Sequence, residues 1–221
     1  MAREELAIFP LTTVVLFPCV QTPLHIFEQR YRQMTAEALA GDRQIGMVVI
    51  PEAHAHTTAG DPPVHPIGCA GEIGQAQKLP DGRYNFVLQG TWRFRILSEP
   101  AAPAERLYRT AIAERLDDPF PENAREPAAA LRRRIVEQVS TLVQRSDPRR
   151  ARQVSPEIFA GVDDPVFVNS MCQALAFPPQ EKLALLEAPS VLSRFELLEG
   201  LLSFRVARDG LHTRTGSSSV H

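Results

Sequence analysis

The period of the apolar residues changes near residue 117, and this change constrains the fold more than any other feature. Before it, short apolar runs alternate with turn signals, a pattern typical of β-strands. After it, apolar residues recur every three or four positions, which indicates amphipathic helices. The sequence therefore predicts an α+β protein with a β-rich domain over residues 1–117, a helical bundle over 118–208 and a disordered tail over 209–221.

The first half predicts about six or seven strands and one helix, enough for a small closed or half-closed β barrel. The expected strands are LAIFPL, TVVLF, IGMVVIP, PIGCAGEIGQAQKL, RYNFVLQGTWRFRILSE and YRTAIAERL. The helix HIFEQRYRQMTAEALA places Phe27 and Tyr31 on one face, together with Met34 and Ala38.

The long strand that follows the PDG turn shows a period of two. Trp92 and Phe94 share one side of it with Ile96, whereas Arg93 and Arg95 lie on the other. This alternation predicts one apolar and one charged face for the strand.

The second half predicts four helical segments, AAALRRRIVEQVSTLVQR, DPVFVNSMCQALA, PQEKLALLE and SVLSRFELLEGLLSFRVAR. Ser190 is the expected N-cap of the last helix. Apolar stripes run along the first of these helices at Leu131, Ile135, Val139 and Leu142, and along the last at Val191, Phe195, Leu198 and Leu202.

Composition narrows the class of protein. The chain of 221 residues has a formal net charge of -2, which gives no global reason to expect nucleic acid or a membrane as partner. Cys19, Cys69 and Cys172 are far apart and stand among apolar residues, so the sequence predicts neither a disulfide framework nor a CxxC site. The acidic MAREEL start and the interrupted apolar run after it are unlike a signal peptide or a membrane span, so a cytoplasmic location is expected.

Motifs for catalysis or cofactor binding do not stand out. Of the 24 basic residues only Lys78 and Lys182 are lysines, and neither follows a glycine, which excludes a GK[ST] phosphate loop. The chain contains no GxSxG sequence. The sequence thus predicts a non-enzymatic protein without a cofactor.

For two clusters of side chains, one of histidines and one of arginines, a structural interpretation is favoured over a binding function. His54, His56 and His65 stand near Asp61 and could bind a metal, but a loop rich in Ala, Thr, Gly and Pro favours solvated histidines. The arginines at 132, 133, 134, 149, 150 and 152 could bind phosphates, but they lack interleaved aromatic residues, which favours a solvated helix face.

Several blocks together resemble the N-terminal substrate-recognition domain of the ATP-dependent Lon proteases. They are FPLTTVVLFPCVQTPLHIFEQRYRQM, the IGMVV strand, the LPDGRYNFVLQGTWRFRI hairpin and the closing KLALLEAPSVLSRFELLEGLL, in order from about residue 5 to 207. The resemblance implies a β-rich pseudobarrel similar to the PUA domains that bind RNA, followed by a helical bundle. Lon proteases continue into an ATPase and a Ser-Lys protease domain, whereas this chain ends at His221, so we expect a stand-alone domain without either activity.

The recurring residues of that family are expected to be mainly structural. They are Pro10, Leu11, Phe17, Pro18, Pro23, Leu24, Phe27, Glu28, Arg30, Tyr31, Gly46, Gly68, Asp81, Gly82, Gly90, Arg93 and Phe94. Phe27 and Tyr31 would pack the helix on the barrel, and Glu28 would be partly buried and paired with Arg93, Arg30 or Arg32. Cys19 stands where the family usually has glycine, which questions the geometry of the turn.

The resemblance favours a module that binds unfolded or flexible polypeptide, or docks on another protein, with protein quality control or an adaptor role as the expected context. The loop over residues 52–66 and the cleft between the two halves are candidate surfaces. RNA binding is the alternative, although the formal net charge of -2 argues against nucleic acid as a partner. An enzyme of unrecognised type is the second alternative. The client, the binding residues and the oligomeric state are left open.

Overall fold

The structure is a computed structural model that describes residues 3–54, 61–146 and 156–215. The chain divides into two compact units. The first comprises Met1–Asp118 and Asn169–Glu187, and the second comprises Pro119–Val168 and Ala188–His221.

Six strands and one helix form most of the first unit, as predicted. The strands are β1 (Arg3–Leu11), β2 (Gln21–Ile26), β3 (Gln44–Val49), β4 (Ile67–Lys78), β5 (Tyr84–Ser98) and β6 (Thr110–Leu116), and α1 (Gln29–Ala40) lies between β2 and β3. Their order in the sheet is β2-β5-β4-β3-β1-β6, and β6 also pairs with β5. Five strands therefore close into a barrel, and β2 adds an edge to it. This confirms the predicted α+β class with strands first and helices after.

Bulges allow β5 to serve both parts of the sheet. The strand is 15 residues long and pairs with β2 along its first part and with β6 along its second. The pairing with β4 shifts register between Ala70 and Gly71, and the pairing with β6 shifts between Ile96 and Ser98. Each shift increases local twist, which is how a small sheet bends into a barrel.

Phe94 fills the barrel and explains two glycines. A Cβ atom at Gly46 would stand 2.8 Å from the Phe94 ring, and one at Gly68 would stand 2.6 Å from it. Any larger residue at these positions would displace the ring. The buried cluster around Phe94 consists of Leu6, Ile8, Val48, Ala70, Trp92, Ala111 and Ala113.

Two local predictions in the first unit are wrong. TVVLF is not a strand, although Val15, Leu16 and Phe17 are buried. Residues 21–26, assigned in part to the start of the helix, form strand β2, and α1 begins only at Gln29. The internal Pro23 demotes a strand prediction, yet it is tolerated here because β2 is an edge strand.

The four predicted helical segments of the second half are all present. They are α2 (Arg125–Ser146), α3 (Asp164–Ala174), α4 (Pro179–Glu187) and α5 (Val191–Thr215). The predicted cap is also present, since the Ser193 N–H donates to Ser190 Oγ at 3.0 Å. The α2 stripe is buried at Leu131, Ile135 and Val139, and the α5 stripe is buried along its whole predicted length.

The units divide the chain differently from the predicted domains. Asn169–Glu187, which includes α4, groups with the first unit. Helix α5 continues to Thr215, past residue 208, and residues 216–221 lie outside the described residues. Among the described helices, none has the length and hydropathy that crossing a membrane requires.

Candidate functional site

A tight turn before β2 explains the FPCV sequence. Pro18 and Cys19 occupy its two central positions, and the Val20 N–H donates to the Phe17 carbonyl at 3.3 Å. Cys19 has a φ of 64°, in the left-handed region. Proline followed by a residue with positive φ defines a type II turn, whose third position favours glycine. This accounts for the glycine that the resemblance implies at position 19. Although its neighbours in the sequence are apolar, Cys19 is exposed.

The same turn is attached to β5 at Gly90. The Cys19 N–H donates to the Gly90 carbonyl at 2.9 Å, and the Gly90 N–H donates to the Val20 carbonyl at 2.8 Å. A Cβ atom at Gly90 would stand 2.1 Å from the Phe17 carbonyl oxygen. Glycine is therefore required at position 90 for the close approach of two backbone segments.

Strand β2 has an inner and an outer face. Ile26 is buried and Leu24 half-buried, whereas Pro23 and His25 are exposed. Phe27 continues the outer row, with 62% of its surface exposed. The prediction that Phe27 packs the helix on the barrel is therefore wrong, because residue 27 continues the alternation of β2 and precedes α1. Tyr31 does pack as predicted, with its ring 4.5 Å from that of Phe9 between centroids.

Residues of β2, β5 and β4 line an open groove of about 480 Å³, which we call the β2 groove. Its lining is mostly apolar and contains no Asp, Glu, Lys or Arg. The residues that line it are Pro23, Leu24, His25, Gln75, Ala76, Gln77, Asn85, Phe86 and Val87. A groove of this size and chemistry suits uncharged side chains, and its amides can bind a backbone.

Hydrogen bonds hold one rim of the β2 groove. Arg83 Nη1 lies 3.3 Å from His25 Nε2 and donates to it, so Nδ1 carries the imidazole proton and donates to Asn85 Oδ1 at 2.6 Å. Phe27 stacks beside His25, with ring centroids 6.3 Å apart. The apolar surface of the groove therefore extends onto the exposed Phe27 ring.

The free edge of β2 is poorly suited to strand addition. The Gly90 N–H bonds to Val20, and bonded pairs recur at every second residue of an antiparallel ladder. Thr22, Leu24 and Ile26 therefore direct their backbone groups to β5, and Pro23 faces the edge without an N–H to donate. Within the described residues β2 pairs with β5 alone. A partner is thus better received on the face of the sheet than at its edge.

Glu28 pairs with Arg30, one of its three expected partners. Their Oε2 and Nη2 atoms are 2.8 Å apart, and both side chains are about two-fifths exposed. Arg93, another expected partner, is 2% exposed and lies on the outer side of β5. It donates to the backbone carbonyls of Leu186 in α4 and Asp117, and pairs with Asp118 at 3.2 Å. Arg93 therefore attaches α4 to the barrel wall.

The β4-β5 hairpin turn contains Asp81 and Gly82. Gly82 has a φ of 82°, which favours glycine. The Arg83 N–H and Nε donate to the Asp81 carboxylate at 3.1 and 2.6 Å, and the side-chain hydrogen bond from Arg83 lowers the pKa of Asp81. Pro10 and Leu11, the remaining predicted family residues, end β1 beside Val48 and Val49.

The loop histidines lie apart from the β2 groove. His65 Nε2 is 3.2 Å from Glu187, and its Nδ1 accepts from the Ile67 N–H at 3.4 Å. His54 ends a short helical turn, and His56 lies outside the described residues. Within the described part of the chain, no three metal-ligating side chains come together.

The arginine run divides between several roles. Arg132 donates to Asp164 and to the Val162 and Phe159 carbonyls, and its guanidinium lies 4.3 Å from the Phe167 ring centroid. It is therefore a brace inside the second unit, and the prediction of a solvated face does not hold for it. The arginines at 149, 150 and 152 lie outside the described residues.

Comparison with known proteins agrees with this architecture. Residues 5–203 match the family described as the ATP-dependent protease La (LON) substrate-binding domain. The chain belongs to the LON substrate-binding domain family.

Curated relatives of this LON domain are whole Lon proteases. The Lon protease of Heliobacterium modesticaldum is 29% identical over 204 residues, covering 90% of this chain and 24% of the relative. That of Brucella suis is 30% identical over 205 residues, covering 91% and 24%. The chain thus spans about a quarter of the length of these relatives.

Solved structures show the same fold. The N-terminal domain of the Mycobacterium avium complex Lon protease has a TM-score of 0.65 at 16% identity, covering 90% of this chain and 98% of that one. A Lon N-terminal domain protein from Xanthomonas campestris has a TM-score of 0.59 at 18% identity, covering 88% and 96%.

Proposed function

We propose that the LON domain recognises flexible, apolar polypeptide segments in the β2 groove and serves protein quality control as a recognition module or adaptor. The observation that carries this proposal is the uncharged lining of the groove, continued by the exposed ring of Phe27. A folded protein seldom exposes a large contiguous apolar patch, whereas an unfolded chain exposes many apolar segments. The groove would therefore select for unfolded clients.

The geometry favours insertion of side chains over strand addition. Pro23 removes one donor from the β2 edge, so an added strand would lose a backbone hydrogen bond. Apolar side chains entering the groove would instead contact Val87 and the neighbouring Phe27, while Gln75, Gln77 and Asn85 offer amides to the bound backbone. Recognition of this kind tolerates many sequences, because amide contacts to a backbone do not depend on side-chain identity.

Fluorescence anisotropy with a labelled 12-residue peptide of alternating Leu and Ser tests the proposal. Burial of the exposed Phe27 ring would contribute about 1–2 kcal/mol, so we expect Phe27→Ala to weaken binding roughly 5- to 30-fold. Val87→Asp should weaken it further, because a carboxylate in the groove would lose solvation against an apolar ligand.

Leu97→Ala is the matched control, since Leu97 is 42% exposed on the same unit and lies outside the groove. We expect it to bind as the unaltered protein does. Equal affinity of the unaltered protein and both groove variants would show that the groove is not the recognition surface.

A further inference from the structure

A second cleft lies beside the β4-β5 hairpin. Lys78 pairs with Tyr84 one position beyond the Gln77 and Asn85 pair that lines the β2 groove. The two clefts share no lining residue and are therefore separate. This second cleft has a volume of about 520 Å³ and is lined by one face of α1, by the hairpin and by the loop at Glu105 and Leu107.

Arg32 in this cleft differs from the other shielded arginines of the first unit. The guanidinium lies over the Gly82 turn, where a Cβ atom would stand 2.0 Å from Nη2. Arg32 as a residue is half-buried, yet its guanidinium makes no hydrogen bond or ion pair with any residue that the structure describes. The other buried or half-buried arginines of this unit each bond a carboxylate or carbonyl: Arg30, Arg43, Arg93, Arg106 and Arg109.

A half-buried cation without a counterion has lost part of its hydration, and an external anion would compensate for that loss. Lys78 adds a second positive charge to the cleft, with its ammonium 5.7 Å from the Tyr84 ring centroid and no carboxylate beside it among the described residues. Glu105 contributes one negative charge to the lining. Two cations and one carboxylate leave a charge of about +1, which suits a single carboxylate better than a phosphate or a polyanion.

The surroundings of the two cations suit a peptide. Gln29, Arg32, Gln33 and Ala36 share one face of α1 over eight residues, or about 10 Å, which matches three residues of an extended chain. Leu107, 48% exposed, offers an apolar contact, and Gln29 offers an amide. Gln33 already holds the loop through the Glu105 carbonyl and the Leu107 N–H.

We infer that this cleft binds an acidic side chain of a polypeptide. Arg32 would donate two parallel hydrogen bonds to the carboxylate, and Lys78 would lie beside it. Arginine suits this role because two parallel N–H donors match the two carboxylate oxygens. The inference rests on the proposed polypeptide-binding function but uses a different cleft of the domain. A client with an acidic residue near an apolar segment would then be preferred to a purely apolar one.

Small probes test the cleft without any dependence on the β2 groove. N-acetylglutamate α-amide carries only a side-chain carboxylate, and N-acetylglutamine amide is its neutral match. In NMR titrations we expect the first to shift the Arg32 Nε–H resonance saturably, and the second to bind at least five-fold more weakly. Lys78→Gln should weaken the glutamate probe, and Arg32→Gln should abolish its saturable effect on neighbouring backbone amides. Arg95→Gln, an exposed arginine of β5 outside the cleft, should leave binding unchanged.

Other ligands decide the source of the anion. Tighter binding of N-acetylleucine, which has only a terminal carboxylate, would overturn the assignment to an acidic side chain. Tighter binding of inorganic phosphate would overturn the assignment to a peptide. Equal binding of the glutamate and glutamine probes would overturn the inference altogether.

Paired 12-residue peptides separate this inference from the proposed function. A peptide with a central Glu should bind about five-fold more tightly than its Gln counterpart, and Arg32→Gln should remove that preference. Phe27→Ala should weaken both peptides equally and keep the preference. If the unaltered protein bound both peptides equally and Phe27→Ala still weakened binding, the cleft alone would be refuted. If the small probe bound but neither peptide did, the groove alone would be refuted.

Discussion

Replacing Cys19 by glycine should stabilise the protein. Cys19 adopts a φ of 64° at the third position of the Phe17 to Val20 turn. A side chain in the left-handed region costs about 1–2 kcal/mol, because the Cβ atom crowds the following carbonyl oxygen. Glycine avoids this cost but loses about 0.5–1 kcal/mol more conformational entropy on folding. The balance predicts a gain of roughly 0.5–1 kcal/mol, or about 1–4 °C in Tm for a protein of this size.

Urea and thermal unfolding followed by circular dichroism measure this change, and two variants at the same position isolate its cause. Cys19→Ala removes the thiol but keeps the Cβ atom, so its stability should stay within about 0.5 kcal/mol of the starting protein. Cys19→Val adds β-branching in the same backbone conformation and should destabilise. If Cys19→Ala stabilised as much as Cys19→Gly, the thiol would be responsible and the backbone argument would be refuted.

Two further predictions concern stability. Arg93→Met should lower the free energy of unfolding in urea by about 3 kcal/mol, because it leaves the Leu186 and Asp117 carbonyls without a donor. Arg95→Met, at an exposed position of β5, should change it by less than about 0.5 kcal/mol. Equal effects would show that Arg93 does not attach α4 to the barrel. Burial and the hydrogen bond to Glu37 raise the pKa of Tyr108 from its ordinary value of 10.0 to about 12. The stability that neutral Tyr108 contributes should be complete below pH 10 and lost as the pH rises to 12. Between these pH values the free energy of unfolding should therefore fall more steeply in the unaltered protein than in Tyr108→Phe. Parallel curves of unfolding free energy against pH would contradict this.

Local patterns were sufficient for much of the fold because they report on neighbours in the chain. The alternation of Trp92, Phe94 and Ile96 with Arg93 and Arg95 places β5 correctly, since a strand repeats every two residues. The cap at Ser190 was equally readable, because it depends on residues three positions apart. The QTPLHIF stretch was misread, although the alternation of Pro23, His25 and Phe27 with Leu24 and Ile26 was a signal for an edge strand.

The sequence alone determined the order of strands before helices, because periodicity acts over a few residues, and its resemblance to the LON family gave the family and the glycine expected at position 19. Tertiary structure decided where the β2 groove lies, since Pro23, Gln75 and Val87 meet only through the pairing of three strands. It also decided that Arg93 holds Leu186, 93 residues away, and that Arg32 stands half-buried without a counterion among the described residues. Burial and charge pairing depend on which distant segments approach, and no local pattern in a single sequence encodes that approach.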